Sequence, residues 1–216
     1  MSGWRDDLHV LRQNVGIGHG PQLMFAAAER ERRLRALLAM LPFPQLISFA
    51  LGQLLGLVQK LGTDRTDAVW AHSTLLWLRA CWELGPVRAL DAPDRQLIQS
   101  FDPSLVVDAV RDLWRPMAEW RSHPEQARKD AEDAIFGRLM AEMSAVWSEA
   151  NPALARLRRE AASSEDPTAQ RISGLLWDAC IRSPLWLETE KRCWNELLDA
   201  LEAELQRSTA DGETQP

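Results

Sequence analysis

Residues 43–60 read FPQLISFALGQLLGLVQK and form the most apolar stretch of the chain. Their apolar residues recur with the spacing of an α-helix, and Pro44 stands where the first turn of a helix tolerates proline. A bilayer span needs about 20 apolar residues, whereas this stretch is shorter and contains two glycines and glutamines. Pro42 also prevents its extension toward the N-terminus. We therefore predict a core helix that ends at Gly62.

Apolar stripes with helical period lie on both sides of this core helix. Upstream, Leu34, Leu37, Leu38 and Leu41 are spaced i, i+3, i+4 and i+7. Downstream, similar stripes lie at 69–84, 106–120, 135–147, 172–179 and 194–205. No segment alternates with the period of two that indicates a half-buried strand. The sequence predicts an all-α fold, either an antiparallel bundle or an orthogonal array of about seven to nine helices.

The connections between these stripes are short, which favours one packed unit. We expect a single all-helical domain over residues 1–207, and the alternative is a division into sub-bundles 1–90 and 103–207. A looser region between them holds one short predicted helix around residues 92–100. Residues 208–216 are small and polar, and we expect them to form a disordered tail.

Composition places the chain among soluble globular proteins. Its 216 residues are 46% hydrophobic and 26% charged, which excludes disordered, collagen-like and disulfide-scaffold proteins. Three cysteines and the lack of a secretory signal favour a cytoplasmic protein without a membrane segment. The net charge of −6 argues against a free-standing nucleic-acid binder. This charge is compatible with a subunit that contacts phosphates with one face while larger partners supply most of the affinity.

Motifs of catalysis and metal binding are absent from the sequence. It contains no G-x-S-x-G elbow, no H-E-x-x-H pair and no Walker motif. The four histidines are scattered, and the glycine-rich residues 16–20 are better explained as a connection between helices than as a phosphate loop. We therefore expect a protein that is not an enzyme, without cofactor or metal. An enzyme with an unrecognised helical site is a third and weaker class of function.

Two glycines stand four residues apart inside the core helix, on one face. Glycine in a helix interior costs about 1 kcal/mol relative to alanine, which close approach of a second backbone can offset. Gly52, Gln53 and Gly56 are therefore candidates for tight helix packing within the bundle. The alternative is a subunit interface or a self-association surface at the same three residues.

The same region carries a family resemblance, over residues 41–84. The pattern reads Pro44-x-Leu46-Ile47-x-x-Ala50-Leu51-Gly52-Gln53-x-Leu55-Gly56-Leu57, then Lys60, then Trp70, then Leu75-Leu76-Trp77-Leu78. It resembles the small subunit of CRISPR type III-B (Cmr) effector complexes, or a related helical CRISPR small subunit. In that family, Ala-Phe is typical where this chain has Gly56-Leu57, and Ala50 takes the place of a glycine.

The resemblance implies a non-catalytic subunit in antiviral defence. Copies of it would stack inside a ribonucleoprotein, beside other protein subunits, and cradle a guide RNA paired with its target strand. Arginine and lysine side chains would grip the phosphate backbone without reading bases. Lys60 is the position that the family pattern marks as a contact.

Charge and expected exposure add further candidates for phosphate contact. These are Arg32, Arg33, Arg35, Arg156, Arg158 and Arg159. The alternative for such arginines is a solvated helix surface with acidic neighbours one turn away, such as Glu29 to Arg33 and Glu31 to Arg35. The competing function is a helical adaptor or oligomerising scaffold that binds only protein.

Overall fold

α-Helices make up almost all of the described part of the chain. The computed structural model describes residues 3–15, 21–62, 65–84 and 104–213, and no residue in these ranges lies in a β-strand. The described helices are α1 (Gly3–Asn14), α2 (Pro21–Leu38), α3 (Phe43–Leu61), α4 (Thr66–Leu84), α5 (Leu105–Glu119), α6 (Pro124–Ala150), α7 (Pro152–Ala162), α8 (Pro167–Ile181) and α9 (Pro184–Glu213). The all-α prediction is confirmed.

Proline and glycine set several helix boundaries. α6, α7, α8 and α9 each begin on a proline, whose missing N–H costs little because the first helical turn has no partner for it. Asp166 caps α8 by accepting a hydrogen bond from the N–H of Thr168 at 2.9 Å. α3 ends where Gly62 adopts a φ of +77°, as the sequence predicted, because glycine takes this conformation without strain.

Helix α3 lies at the centre of the core. Nine of its residues are buried, and it packs against α4, α5 and α6. Because α5 and α6 follow residues 85–103 in the chain, this packing joins helices from both halves of the chain. The cluster of buried apolar side chains runs from Leu8 in α1 to Leu205 in α9. The described helices therefore share one hydrophobic core.

The remaining helices cover this centre from two sides. α1 packs against α2 and α9, and the guanidinium of Arg12 bridges to the carboxylates of Asp199 and Glu202 on α9. On the other side, α7 and α8 form a helical hairpin, which contacts α6 through α7 and α9 through α8. This hairpin is the least buried part of the fold, since Ala155, Ala161 and Cys180 are its buried residues.

The predicted disordered tail is wrong over most of its length. α9 continues through residues 208–213, so the disorder expected for 208–216 does not hold there. Within this last part of α9 the hydroxyl of Thr209 donates to the carbonyls of Leu205 and Gln206, at 3.1 and 2.9 Å. Residues 214–216, the glycine-rich residues 16–20 and the predicted helix around 92–100 lie outside the described residues.

Gly52 and Gly56 do not pack against any of the described helices. No described atom lies within 4 Å of the position that a Cβ would take at either residue. Gly52 is exposed, and Gln53 and Gly56 are partly exposed. The buried face of α3 is formed by its leucines and Ile47, which turns the two glycines outward. The described helices therefore do not provide the tight packing predicted at these residues, and the interface alternative stays a prediction.

The close approach of helices occurs instead at Gly137 in α6. A Cβ at this position would lie 2.9 Å from the Cβ of Ala109 in α5, which is closer than van der Waals contact allows. Gly137 thus permits α5 and α6 to pack at short distance.

Alanine substitution at these glycines should have opposite effects on stability. Gly137→Ala should lower the free energy of unfolding by about 1 kcal/mol, since overpacking outweighs the gain in helix propensity. Gly52→Ala should raise it by about 0.5–1 kcal/mol, because the helix gains propensity and nothing clashes. Urea denaturation of both variants measures the difference. Equal effects of the two substitutions would contradict the close contact at Gly137.

Candidate nucleic-acid interface

The predicted arginines of α2 are held by carboxylates. The guanidinium of Arg32 contacts Glu29 at 2.7 Å, and that of Arg33 contacts Glu29 at 2.6 Å and Asp7 of α1 at 2.7 Å. Hydrogen bonds from the two arginines hold the pKa of Glu29 at about 2, well below its ordinary value. The predicted pair between Glu29 and Arg33 is present, so the charge on this face is largely neutralised.

Arg35 joins α2 to α6. Its guanidinium contacts Glu31 at 2.8 Å, which is the second ion pair that the sequence predicted. It also reaches Glu132 at 3.0 Å and Asp133 at 2.5 Å, both on α6. With three carboxylates around one guanidinium, Arg35 already has its partners inside the protein.

Lys60 is likewise part of an ion cluster that joins α3, α6 and α9. Its ammonium lies 2.9 Å from Glu142 and 2.5 Å from Glu196. Arg138 contacts the second oxygen of Glu142 at 2.8 Å, and both of these side chains are only 4% exposed. The position marked by the family pattern therefore has a structural role within the described helices.

The charges of this cluster favour the ionised form of Glu142. Burial alone would raise the pKa of Glu142, but the hydrogen bond from Lys60 and the charge of Arg138 outweigh it and hold the pKa below its ordinary 4.5. The same carboxylates raise the pKa of Lys60 against the opposing effect of burial. Since the pKa of Glu142 is lowered by folding, its contribution to stability is complete above the ordinary value and is lost as the pH falls through its folded value.

We expect Glu142→Gln to lower the free energy of unfolding at neutral pH by about 3 kcal/mol, because it leaves Lys60 and Arg138 without their shared partner. The gap between wild type and variant should shrink as the pH falls below 4.5. Thermal melts of both proteins across this pH range measure the difference in their stability. Glu149→Gln is the matched control, since Glu149 is exposed on the same helix. A loss in the control as large as that at Glu142 would contradict the role of the cluster.

Arg156, Arg158 and Arg159 of α7 differ from the arginines of α2. They line one cavity of about 710 Å³ together with Leu105 of α5 and Trp177 of α8, and we call these five residues the arginine groove. The carboxylates of Asp108 and Glu160 line the same cavity. Within the described residues, no carboxylate lies within 4.0 Å of Arg158 or Arg159. Arg156 has a single distant partner, Glu160 at 3.8 Å, and its side chain is 73% exposed.

Arg158 is fixed in the groove by an aromatic ring. Its guanidinium carbon lies 4.8 Å from the ring centroid of Trp177, and its Nε is buried without a hydrogen-bond partner in the described structure. The hydroxyl of Ser173 on α8 donates to the backbone carbonyl oxygen of Arg158 at 3.3 Å, so this hydrogen bond does not involve the guanidinium. The stacked guanidinium keeps its other N–H donors available for an acceptor.

A second cavity of about 400 Å³ extends the arginine groove along α6. Arg158 and Arg159 line both cavities, and the second adds the hydroxyls of Ser104, Ser144 and Ser148. Arg65 and Asp67 also line this cavity and pair with each other at 2.6 Å. The two cavities share Arg158 and Arg159, and we call them together the channel. Its lining combines cationic and hydroxyl donors with apolar side chains and with the carboxylates of Asp67, Asp108 and Glu160.

Sequence reasoning identified the three arginines of the groove but missed the residues around them. Leu105 lies 47 residues before the start of α7, and Trp177 lies 15 residues after its end. Both are on other helices, so no local spacing in the sequence links them to the arginines. Trp177 lies within the apolar stripe at 172–179, and this periodicity does not indicate a contact with an arginine of another helix. The fold alone brings α5, α7 and α8 together here.

Other kinds of site find little support in the described residues. No group of three or more histidine, cysteine and acidic side chains among them could hold a metal ion. Burial raises the pKa of Cys180 and of Cys193 to about 11, so both thiols are protonated and inert at neutral pH. None of the described helices has both the length and the apolarity that a bilayer crossing requires.

Comparisons of the whole chain with protein-family models, with curated proteins and with solved structures found no match.

Proposed function

We propose that the protein is a non-catalytic helical subunit of an RNA-guided effector complex of the CRISPR type, acting in the cytoplasm. In this proposal the arginine groove contacts the phosphate backbone of the guide RNA and its target strand. Other subunits bind the remaining surface and supply most of the affinity. The observation that carries the proposal is the contrast between the arginines of α7, which lack close carboxylates, and those of α2, which have them.

This contrast separates phosphate contact from structural pairing. A guanidinium that already has carboxylate partners must break those ion pairs before it can bind a phosphate, whereas Arg158 and Arg159 need not. Ser144 and Ser148 can donate further hydrogen bonds to backbone oxygens along the channel. Contacts of this kind recognise the shape and charge of a duplex and are independent of its base sequence.

The acidic net charge of −6 sets the expected strength of binding. A protein with this charge binds RNA weakly on its own, and its binding depends steeply on salt because the contacts are electrostatic. In an assembly, neighbouring subunits would hold the duplex against the groove, which raises its local concentration.

Reversal of the two exposed groove arginines should weaken RNA binding. We expect Arg156→Glu with Arg159→Glu to lower the affinity for an RNA duplex at least tenfold at low salt. The slope of log affinity against log salt should fall by about one unit for each phosphate contact removed. Fluorescence anisotropy of a labelled duplex, measured as a salt series, gives both quantities.

The matched control reverses Arg79 and Arg207, which changes the net charge by the same amount. Both side chains are exposed and lie outside the groove, each paired with a glutamate of its own helix. Equal losses of affinity in the two double variants would show that only the net charge matters, and would contradict a localised phosphate site.

The CRISPR form of the proposal is supported by the sequence pattern of residues 41–84. It is tested by the mass of the native assembly purified with and without nuclease. We expect copurifying protein subunits and RNA whose removal lowers the mass of the complex. Copurifying proteins without RNA would favour the second candidate, an adaptor that binds only protein. The specific observation for that candidate is the exposure of Leu154 and Leu157 on α7, at 44% and 46%.

A further inference from the structure

Helix α8 presents an apolar stripe that none of the other described helices covers. Its exposed members are Thr168, Ile172, Leu175 and Ala179. Leu175 is 62% exposed, the highest value among the large apolar side chains of the described residues, and Ile172 is 42% exposed. A different face of the helix packs on the rest of the protein: Cys180 is buried there, and the ring of Trp177 lies 5.2 Å from that of Trp186 on α9. α8 therefore has apolar side chains both on the face that packs on the protein and on the exposed stripe.

The spacing within this stripe is that of a helix–helix seam. Successive members are separated by four, three and four residues, which is the alternation found along the contact line of a coiled coil. Exposed apolar side chains in such an order form a ridge that a second helix can cover. Single exposed leucines are common on protein surfaces, but a seam of this spacing is not required by the fold described above.

Charges on one flank of the stripe indicate which helix would cover it. Arg171 and Asp178 are both exposed, lie seven residues apart on that flank, and form no ion pair within the described residues. If a second α8 lies antiparallel to the first, Arg171 of each copy stands near Asp178 of the other, and two ion pairs form. In a parallel arrangement the charged flanks of the two copies lie on opposite sides of the seam, so Arg171 and Asp178 do not meet and no ion pair forms.

We propose that α8 is a self-association surface, on which a second copy of this chain packs its own α8 antiparallel about a two-fold axis. The contact is self-complementary, as such an axis requires. Its centre falls at Gly174 and Leu175, midway between the two charges. This inference stands independently of nucleic-acid binding.

The size of the surface sets the strength of the association. α8 has 15 residues, and only one of its faces takes part, with Leu154 and Leu157 of the neighbouring α7 exposed in addition. An interface of this size falls in the weak, transient class. The association is therefore a concentration-dependent monomer–dimer equilibrium, which a larger assembly can strengthen.

The first test is sedimentation velocity of the full chain over a range of concentrations. We expect wild-type protein to shift from monomer to dimer as its concentration rises, and Leu175→Asp to remain monomeric. Leu76→Asp is the matched control, because Leu76 is 48% exposed on α4, away from the stripe, and this variant should dimerise normally. Wild-type protein that stays monomeric up to about 1 mM would overturn the proposal.

The second test concerns the orientation of the two helices. Arg171→Asp alone and Asp178→Arg alone should each weaken dimerisation about tenfold, since each places like charges opposite one another. The double exchange, Arg171→Asp with Asp178→Arg, should restore it, because opposite charges again meet across the axis. Circular dichroism melts confirm that all variants fold. Failure of the double exchange to recover dimerisation would overturn the antiparallel arrangement.

Discussion

The burial of helix α3 is the constraint on which the rest of the structure depends. Its apolar residues contact α4, α5 and α6, so one helix holds together elements from both halves of the chain. At its C-terminal end the cluster of Lys60, Arg138 and Glu142 fixes its position against α6. Such a cluster adds less net stability than its charges suggest, but removal of one partner leaves a buried charge unpaired.

The distribution of ion pairs over the fold separates two uses of arginine. On α2 each of the three predicted arginines has carboxylate partners, and Arg35 joins two helices in this way. On α7 the arginines face a cavity, and Trp177 positions one of them. The hairpin of α7 and α8 thus carries both proposed surfaces, the arginine groove and the apolar stripe, and it is also the least buried part of the molecule.

The sequence predicted the local structure better than the long-range contacts. Periodicity and helix-boundary residues were sufficient for α3 and for its end at Gly62, since both depend on neighbours in the chain. The partners of Arg35 on α6 and of Lys60 on α6 and α9 are 82 to 136 residues away, and nothing local marks them. The exposure of Gly52 was not predicted for a similar reason. A glycine in a helix allows a neighbouring helix to come close, but the sequence does not show whether one does.

The central claim is that phosphates meet α7 and not α2. Ultraviolet crosslinking of the protein to a guide–target RNA duplex, followed by mass spectrometry of its peptides, tests this claim most directly. The account predicts crosslinks in residues 152–162 and at Trp177. Crosslinks confined to residues 29–35, or equal labelling of all helices, would contradict it.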